Sequence, residues 1–104
     1  MIRKAYKMKL MPGFEKEYEK RHSKIWPDVK QMIKENGISD YSIYWDRETN
    51  YLFSSMKVDE AKQDSAMKVN AVRDKWWAFM KDIMETNEDN SPISTELLEV
   101  FHID

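Results

Sequence analysis

The chain has no cysteine, and only two glycines and two histidines occur among its 104 residues. Without cysteine there is no disulfide, no thiolate nucleophile and no cysteine-ligated zinc site. Gly13 and Gly37 cannot form a glycine-rich phosphate loop, and no Gly-x-Ser-x-Gly element is present. The two histidines lie far apart, with no His-x-x-x-His or carboxylate-rich spacing around them. We therefore expect no metal site, no nucleotide cofactor of the Rossmann or P-loop kind and no serine-hydrolase chemistry.

A strong charge of one sign and long apolar runs are also missing. The chain carries 17 Lys and Arg against 19 Asp and Glu, and these charges are interspersed, giving a formal net charge of −2. This slight acidity counts against a nucleic-acid partner. No apolar run reaches membrane-spanning length, and the N-terminus has no signal-peptide core. We therefore expect a cytoplasmic protein that does not associate with membranes.

Hydrophobic residues, by contrast, are plentiful. They make up 41% of the chain and include four tryptophans, which is ample for one packed core. The length predicts a single domain over residues 1–104. A domain of this size has little surplus stability, and many such domains gain more by forming oligomers.

The periodicity of apolar residues predicts an α+β protein. Alternation indicates strands over 2–10, 38–46, 51–58 and 97–103, the last with apolar residues on both faces. Helical spacing indicates helices over 14–22, over 27–35 and from about residue 60. Asn70 is expected to recap the last of these into a helix with an inward stripe of Val72, Trp76, Phe79, Met80 and Ile83. The resulting order, β-α-(α)-β-β-α-(α)-β, is the ferredoxin-like split β-α-β arrangement.

Such a sheet has helices on one face only, so its other face needs cover. Tyr41 and the other strand aromatics are expected to need burial there. Two copies packed sheet to sheet would cover these side chains and could enclose a cavity. We therefore predict a homodimer.

The best candidate for chemistry is His22, near the end of the first predicted helix. Tyr18 lies four residues earlier and therefore projects from the same helix face. An imidazole can give and take protons at neutral pH, and a neighbouring phenol can hydrogen-bond a polar ligand. The residue pattern alone also fits a surface histidine at a helix end and a tyrosine that serves only packing.

Three further aromatic residues could bind a ligand. Tyr41 would offer its phenol to a hydroxylated substrate if its strand face lines a cavity. Trp76 and Trp77 are adjacent, so on a helix they point about 100° apart, with Trp76 on the inward stripe. Two indoles at a pocket edge would suit the apolar face of a sugar ring, although packing alone would also explain them. His102, in the last predicted strand, is interpreted as structural or exposed.

Several short segments, in order and over essentially the whole length, resemble the L-rhamnose mutarotase family. They are Met1-Ile2-Arg3-Lys4-Ala5, Tyr18-x-x-Arg21-His22-x-x-Ile25-Trp26-Pro27, Tyr41-x-Ile43-Tyr44, Trp76-Trp77-x-x-Met80-x-Asp82-x-Met84, Asn87-x-Asp89-Asn90-Ser91-Pro92 and Glu96-Leu97-x-Glu99-Val100-Phe101. The resemblance implies a dimeric ferredoxin-like α/β barrel. It also implies an isomerase that interconverts the α and β anomers of L-rhamnose without a metal or a cofactor.

The resemblance further implies roles for single residues. His22 matches the proton donor of the family, and four positions match residues that contact the sugar: Tyr18, Tyr41, Trp76 and Trp77. Two other interpretations of such a dimer stay open from the sequence. One is a haem-degrading or quinone-forming monooxygenase, and the other is a sugar-binding module without catalysis.

Overall fold

The computed structural model describes residues 1–62 and 70–104 of the chain. In these ranges it has four strands, three α-helices and one 3₁₀ turn. They are β1 (Ile2–Lys9), α1 (Glu15–Ser23), α2 (Pro27–Glu35), β2 (Ile38–Trp45), β3 (Tyr51–Val58), the 3₁₀ turn (Glu60–Lys62), α3 (Ala71–Met80) and β4 (Ser94–Leu97). The predicted α+β class is therefore confirmed.

The four strands form one antiparallel sheet in the order β2-β3-β1-β4. This is the strand order of the split β-α-β arrangement. The pairing of β1 with β3 places Tyr6 opposite Ser54 and Met8 opposite Leu52, so these side chains share one face. The pairing of β2 with β3 is irregular between Ser39 and Ser42.

The helices pack on the face that carries Met8 and Leu52, here called the inner face. The core joins this face to α1, α3 and the segment after α3. Its buried residues are Leu10, Tyr18, Leu52, Met80, Ile83 and Met84, with Met8, Ile43 and Trp76 packed against them. Ile83 was expected on the helical stripe of α3 but follows the end of that helix, and it is nevertheless fully buried.

Three local signals in the sequence set the ends of the helices. Pro27 opens α2, where its missing N–H is not needed. Asn70 caps α3, because its Oδ1 accepts hydrogen bonds from the backbone N–H groups of Val72 (2.9 Å) and Arg73 (3.1 Å). Gly37 follows α2 with a φ of +78°, and a Cβ there would lie 2.6 Å from the Asp59 carbonyl oxygen. Only glycine fits this position without strain.

The prediction of a last strand over 97–103 was wrong. β4 runs from Ser94 to Leu97, so it begins three residues before the predicted strand and ends at that strand's first residue. β4 pairs with β1 only from Ala5 to Met8, and the contact farther along β1 is a side-chain pair, Arg3 with Glu99. Residues 98–104 are therefore not in a strand, and their apolar side chains are exposed rather than buried on both faces.

Two other predictions concern the helix from about residue 60 and the position of His102. The helix expected from about residue 60 is a 3₁₀ turn as far as Lys62, and its continuation falls on residues 63–69, outside the described part of the chain. His102 is not in a strand, and it contacts Asp104 at 2.9 Å. No helix in residues 1–62 and 70–104 is long and apolar enough to cross a membrane.

Candidate active site

An open cavity of about 1810 Å³ lies between the inner face of the sheet and the helices. All five residues singled out from the sequence line it: Tyr18, His22, Tyr41, Trp76 and Trp77. Tyr41 was expected on the uncovered face. It lies instead on the inner side with Ile43, because the irregularity between Ser39 and Ser42 places one extra residue in β2 and so shifts the alternation of side chains there. The cavity is therefore formed within one chain, between the sheet and its own helices.

His22 lies in the last turn of α1 and is held by the residue one turn earlier. Its Nδ1 is 3.1 Å from the carbonyl oxygen of Tyr18, and its ring stacks on the Tyr18 ring with 4.2 Å between the centroids. A carbonyl oxygen can only accept a hydrogen bond, so Nδ1 carries the proton and donates it. In the neutral imidazole, Nε2 is then the nitrogen that can accept a proton from a ligand.

Burial controls the ionisation of the three polar rings. It lowers the pKa of His22 below 6.5, and the hydrogen bond to Tyr18 offsets this only in part. It raises the pKa of Tyr18, and a smaller electrostatic contribution from Tyr41 acts in the same direction. Tyr41 is 40% exposed as a whole residue, yet burial around its phenol also raises its pKa. The cavity therefore holds a neutral imidazole beside two phenols that keep their protons.

Trp76 connects His22 to an aromatic cluster. The Trp76 ring lies edge-on to His22, with 5.5 Å between the centroids, and it contacts Trp26 at 5.1 Å and Phe79 at 5.7 Å. Edge-to-face packing of this kind is favourable and fixes ring orientation. Trp26 was not among the candidate site residues predicted from the sequence. Its place in the sequence, between the two helices predicted over 14–22 and 27–35, was the signal that its side chain could pack against α3.

Trp77 lines the same cavity from a different direction. Its ring is covered by the guanidinium of Arg73, whose central carbon lies 4.3 Å from the ring centroid. One face of the indole is therefore in a cation–π contact. Residues 1–62 and 70–104 contain no group of three or more His, Asp or Glu side chains arranged as metal ligands.

The lowered pKa of His22 predicts a pH dependence of stability. Between about pH 7 and pH 5 the unfolded chain binds a proton at this histidine more readily than the folded chain does. The free energy of unfolding should therefore fall as the pH falls through 6.5, by no more than about 1.4 kcal/mol per pH unit for one proton. The loss stops growing below the folded pKa.

Urea unfolding at pH 5, 6 and 7 tests this dependence. Replacing His22 with asparagine should remove most of the slope. An equal slope in the wild-type protein and the His22 variant would contradict the pKa shift.

Comparison with known proteins gives one consistent result. The L-rhamnose mutarotase family model matches residues 3–103. The chain is 54% identical to the L-rhamnose mutarotase of Phocaeicola vulgatus and 53% identical to that of Bacteroides thetaiotaomicron, with both chains covered completely in each case. The crystal structure of the L-rhamnose mutarotase of Formosa agariphila matches over the full length of both chains, with a TM-score of 0.92 and 46% identity.

Proposed function

The chain belongs to the L-rhamnose mutarotase family, and we propose that His22 moves the proton with which it interconverts the α and β anomers of L-rhamnose. The observation that carries this proposal is the arrangement of His22. Its Nδ1 is engaged by the Tyr18 carbonyl, which leaves Nε2 as the nitrogen for a ligand in the cavity. The enzyme is an isomerase, and its reaction changes only the configuration at the anomeric carbon.

The chemistry of anomer exchange requires one proton to change places. Ring opening removes the proton of the anomeric hydroxyl, breaks the bond between C1 and the ring oxygen, and protonates that oxygen. The product is the open-chain aldehyde. Rotation about the bond next to the carbonyl presents its other face, and closure reverses the proton transfers. No atoms are gained or lost, and no redox partner is needed.

A single imidazole can serve both oxygens, because both are bonded to C1. Neutral Nε2 first accepts the proton of the anomeric hydroxyl. The imidazolium then donates that proton to the ring oxygen as the bond to C1 breaks, so His22 acts as the acid in its protonated form. The lowered pKa of His22 suits this order of proton transfers, because the imidazole is neutral before the reaction and its protonated form is a stronger acid.

The other four residues would bind the sugar. The phenols of Tyr18 and Tyr41 remain protonated and can donate hydrogen bonds to hydroxyls. The indoles of Trp76 and Trp77 offer apolar surface to the C–H groups of the ring. Anomers already interconvert unaided in water, so a general acid–base gain of about 10²–10⁴-fold would suffice.

Saturation transfer between the two anomeric proton resonances of L-rhamnose tests the activity. We expect transfer above the buffer control at catalytic protein concentration. Binding of the sugar without any increase in transfer would identify a sugar-binding module instead. Absence of both, with haem binding at one equivalent, would favour the monooxygenase interpretation.

We also propose that the protein is a homodimer in which a second copy covers the outer face of the sheet. Tyr44 on this face is 64% exposed, and Phe53 and Leu97 are half-buried. The C-terminal segment, residues 98–104, adds further exposed apolar side chains, namely Leu98, Val100, Phe101 and Ile103. An exposed apolar surface of this extent is typical of an interface.

Charge complementarity supports the C-terminal segment as part of this interface. The outer face carries the basic residues Arg3, Lys7, Lys9 and Lys57. The segment carries Glu99 and Asp104 between and beyond its apolar residues. Glu99 is already engaged by Arg3 of its own chain, so Asp104 is the carboxylate of the segment that would meet the lysines of this face on a second copy.

Replacing Phe101 with aspartate is expected to dissociate this dimer. Losing burial of one Phe side chain costs about 1.5–3 kcal/mol, and a symmetric dimer loses it twice, so Kd should rise by roughly 10²–10⁴-fold. Light scattering should then change from twice 12.6 kDa to 12.6 kDa at micromolar concentration. The control is Phe14→Asp, at a 39% exposed position before α1, which should leave the mass unchanged. A wild-type mass of 12.6 kDa would contradict the dimer.

A further inference from the structure

Arg21 precedes His22 directly but turns away from the cavity toward the end of α3. Its side chain is only 13% exposed. Nη1 donates to the Phe79 carbonyl at 2.7 Å and to one carboxylate oxygen of Asp82 at 2.9 Å, and Nη2 donates to the other at 3.2 Å. Nε donates to Glu17 on its own helix at 2.8 Å. One guanidinium therefore joins α1 to the last turn of α3 and the segment after it.

These contacts stabilise the C-terminal end of α3. Carbonyl groups in the last turn of a helix have no partner within the helix, and a cation is favourable there. The last turn of α3 contains no basic residue of its own. Lys81, the exposed C-cap residue, already brings one positive charge, and Arg21 adds a second one together with a hydrogen-bond donor from another helix.

The same guanidinium reaches the ring cluster around His22. It lies over the Phe79 ring at 4.4 Å, Phe79 contacts Trp76, and Trp76 contacts His22. His22 and Trp76 lie on two different helices, so their separation depends on how α1 and α3 are held together. Arg21 connects the two helices at the residue next to His22.

We propose that Arg21 is a positioning residue for catalysis, which fixes His22 against Trp76 by clamping α1 to the end of α3. This inference rests on the proposed role of His22. Lysine would keep the charge but not the function, because its single ammonium cannot form the paired hydrogen bonds to Asp82 while also reaching the Phe79 carbonyl.

Arg21→Lys tests this proposal, and the chain offers a matched control. Arg3 also forms paired hydrogen bonds to a carboxylate, that of Glu99 at 2.9 and 3.1 Å, but its side chain is 44% exposed and contacts neither α1 nor α3. Misplacing a catalytic group by about 1 Å can cost about 100-fold in rate. We expect kcat for anomer exchange to fall about 10- to 100-fold in Arg21→Lys, with a smaller change in KM, and to stay within twofold of wild type in Arg3→Lys.

A second readout does not depend on turnover. The only two histidines, His22 and His102, can be titrated by NMR in each folded variant. Weakening the contacts of Arg21 with α3 should raise the pKa of His22 toward 6.5, because the burial of His22 decreases. Asp82→Asn weakens the same paired hydrogen bonds from the carboxylate side, so it should also raise the pKa of His22. This variant replaces Arg21→Lys in the test if Arg21→Lys does not fold.

The two readouts separate the possible failures. If kcat and the His22 titration of Arg21→Lys both match those of Arg3→Lys, the positioning role is wrong. If the loss lies entirely in KM, the role is also wrong, because sugar binding and not the proton transfer would then depend on Arg21. If His22→Ala keeps full activity, the proposed role of His22 in proton transfer is wrong. The NMR titration of His22 in the Arg21 and Asp82 variants still tests whether Arg21 holds α1 against the end of α3.

Discussion

Replacing His22 with alanine is expected to lower kcat for anomer exchange of L-rhamnose by about 10²–10⁴-fold, leaving little more than the spontaneous rate. The reason is the loss of Nε2. His22 lines the cavity, and Nε2 is its only ring nitrogen that is not hydrogen-bonded to the Tyr18 carbonyl. His22→Asn is a sharper variant. Its side-chain N–H group can still donate to that carbonyl, yet it cannot carry a proton between two oxygens. We expect it to be as inactive as the alanine variant.

The other histidine of the chain provides the control. His102 lies outside the cavity and contacts Asp104. His102→Gln should therefore keep full activity at every pH. Optical rotation after dissolving one pure anomer measures each rate directly, with buffer alone as the reference. Full activity in a folded His22 variant would remove this residue from the mechanism.

The second large effect is expected at Trp76. Its ring contacts His22, Trp26 and Phe79 and packs against the core cluster. Truncation of a well-packed tryptophan to alanine costs about 3–5 kcal/mol, and the partial exposure of Trp76 places it at the low end of this range. The rate of anomer exchange should also fall in Trp76→Ala, because the ring that packs against His22 is lost.

The adjacent tryptophan makes this prediction specific. The ring contact of Trp77 is with Arg73, not with the aromatic cluster, so Trp77→Ala should cost only about 1 kcal/mol of cation–π and packing energy. Its main effect should be a higher KM for the sugar. Urea unfolding and steady-state kinetics on both variants test the contrast. Equal losses of stability would show that Trp76 is not the centre of the cluster.

Local signals in the sequence predict most of the fold. Alternation in β1 and β3, the helical start at Pro27 and the cap at Asn70 are each encoded within a few residues and are found in the structure. The pairing of Tyr18 with His22 was equally predictable, because four residues on a helix bring two side chains to one face. Such features require no knowledge of the tertiary structure.

Other features depend on contacts between distant parts of the chain. The alternation in residues 97–103 is typical of a strand, but the pairing of β4 with β1 stops at the pair of Leu97 and Ala5, although β1 itself continues to Ile2. The apolar pattern there fits the proposed contact with a second copy better than burial within this chain. The face taken by Tyr41 depends on which side of the sheet the helices occupy. The links from Trp26 to Trp76 and from Arg21 to Asp82 join segments about 50 to 60 residues apart, and sequence spacing alone could not show them.

We propose that neutral His22 begins the proton transfer, and the pH dependence of kcat/KM, measured beside the NMR titration of the same residue, tests this role. We expect kcat/KM to rise with pH through one ionisation below 6.5 and to be level near neutral pH. This ionisation should coincide with that of His22. The His102→Gln protein should give the same profile. A rate that falls as His22 loses its proton, or that does not change across the titration of His22, would show that neutral His22 does not begin the proton transfer.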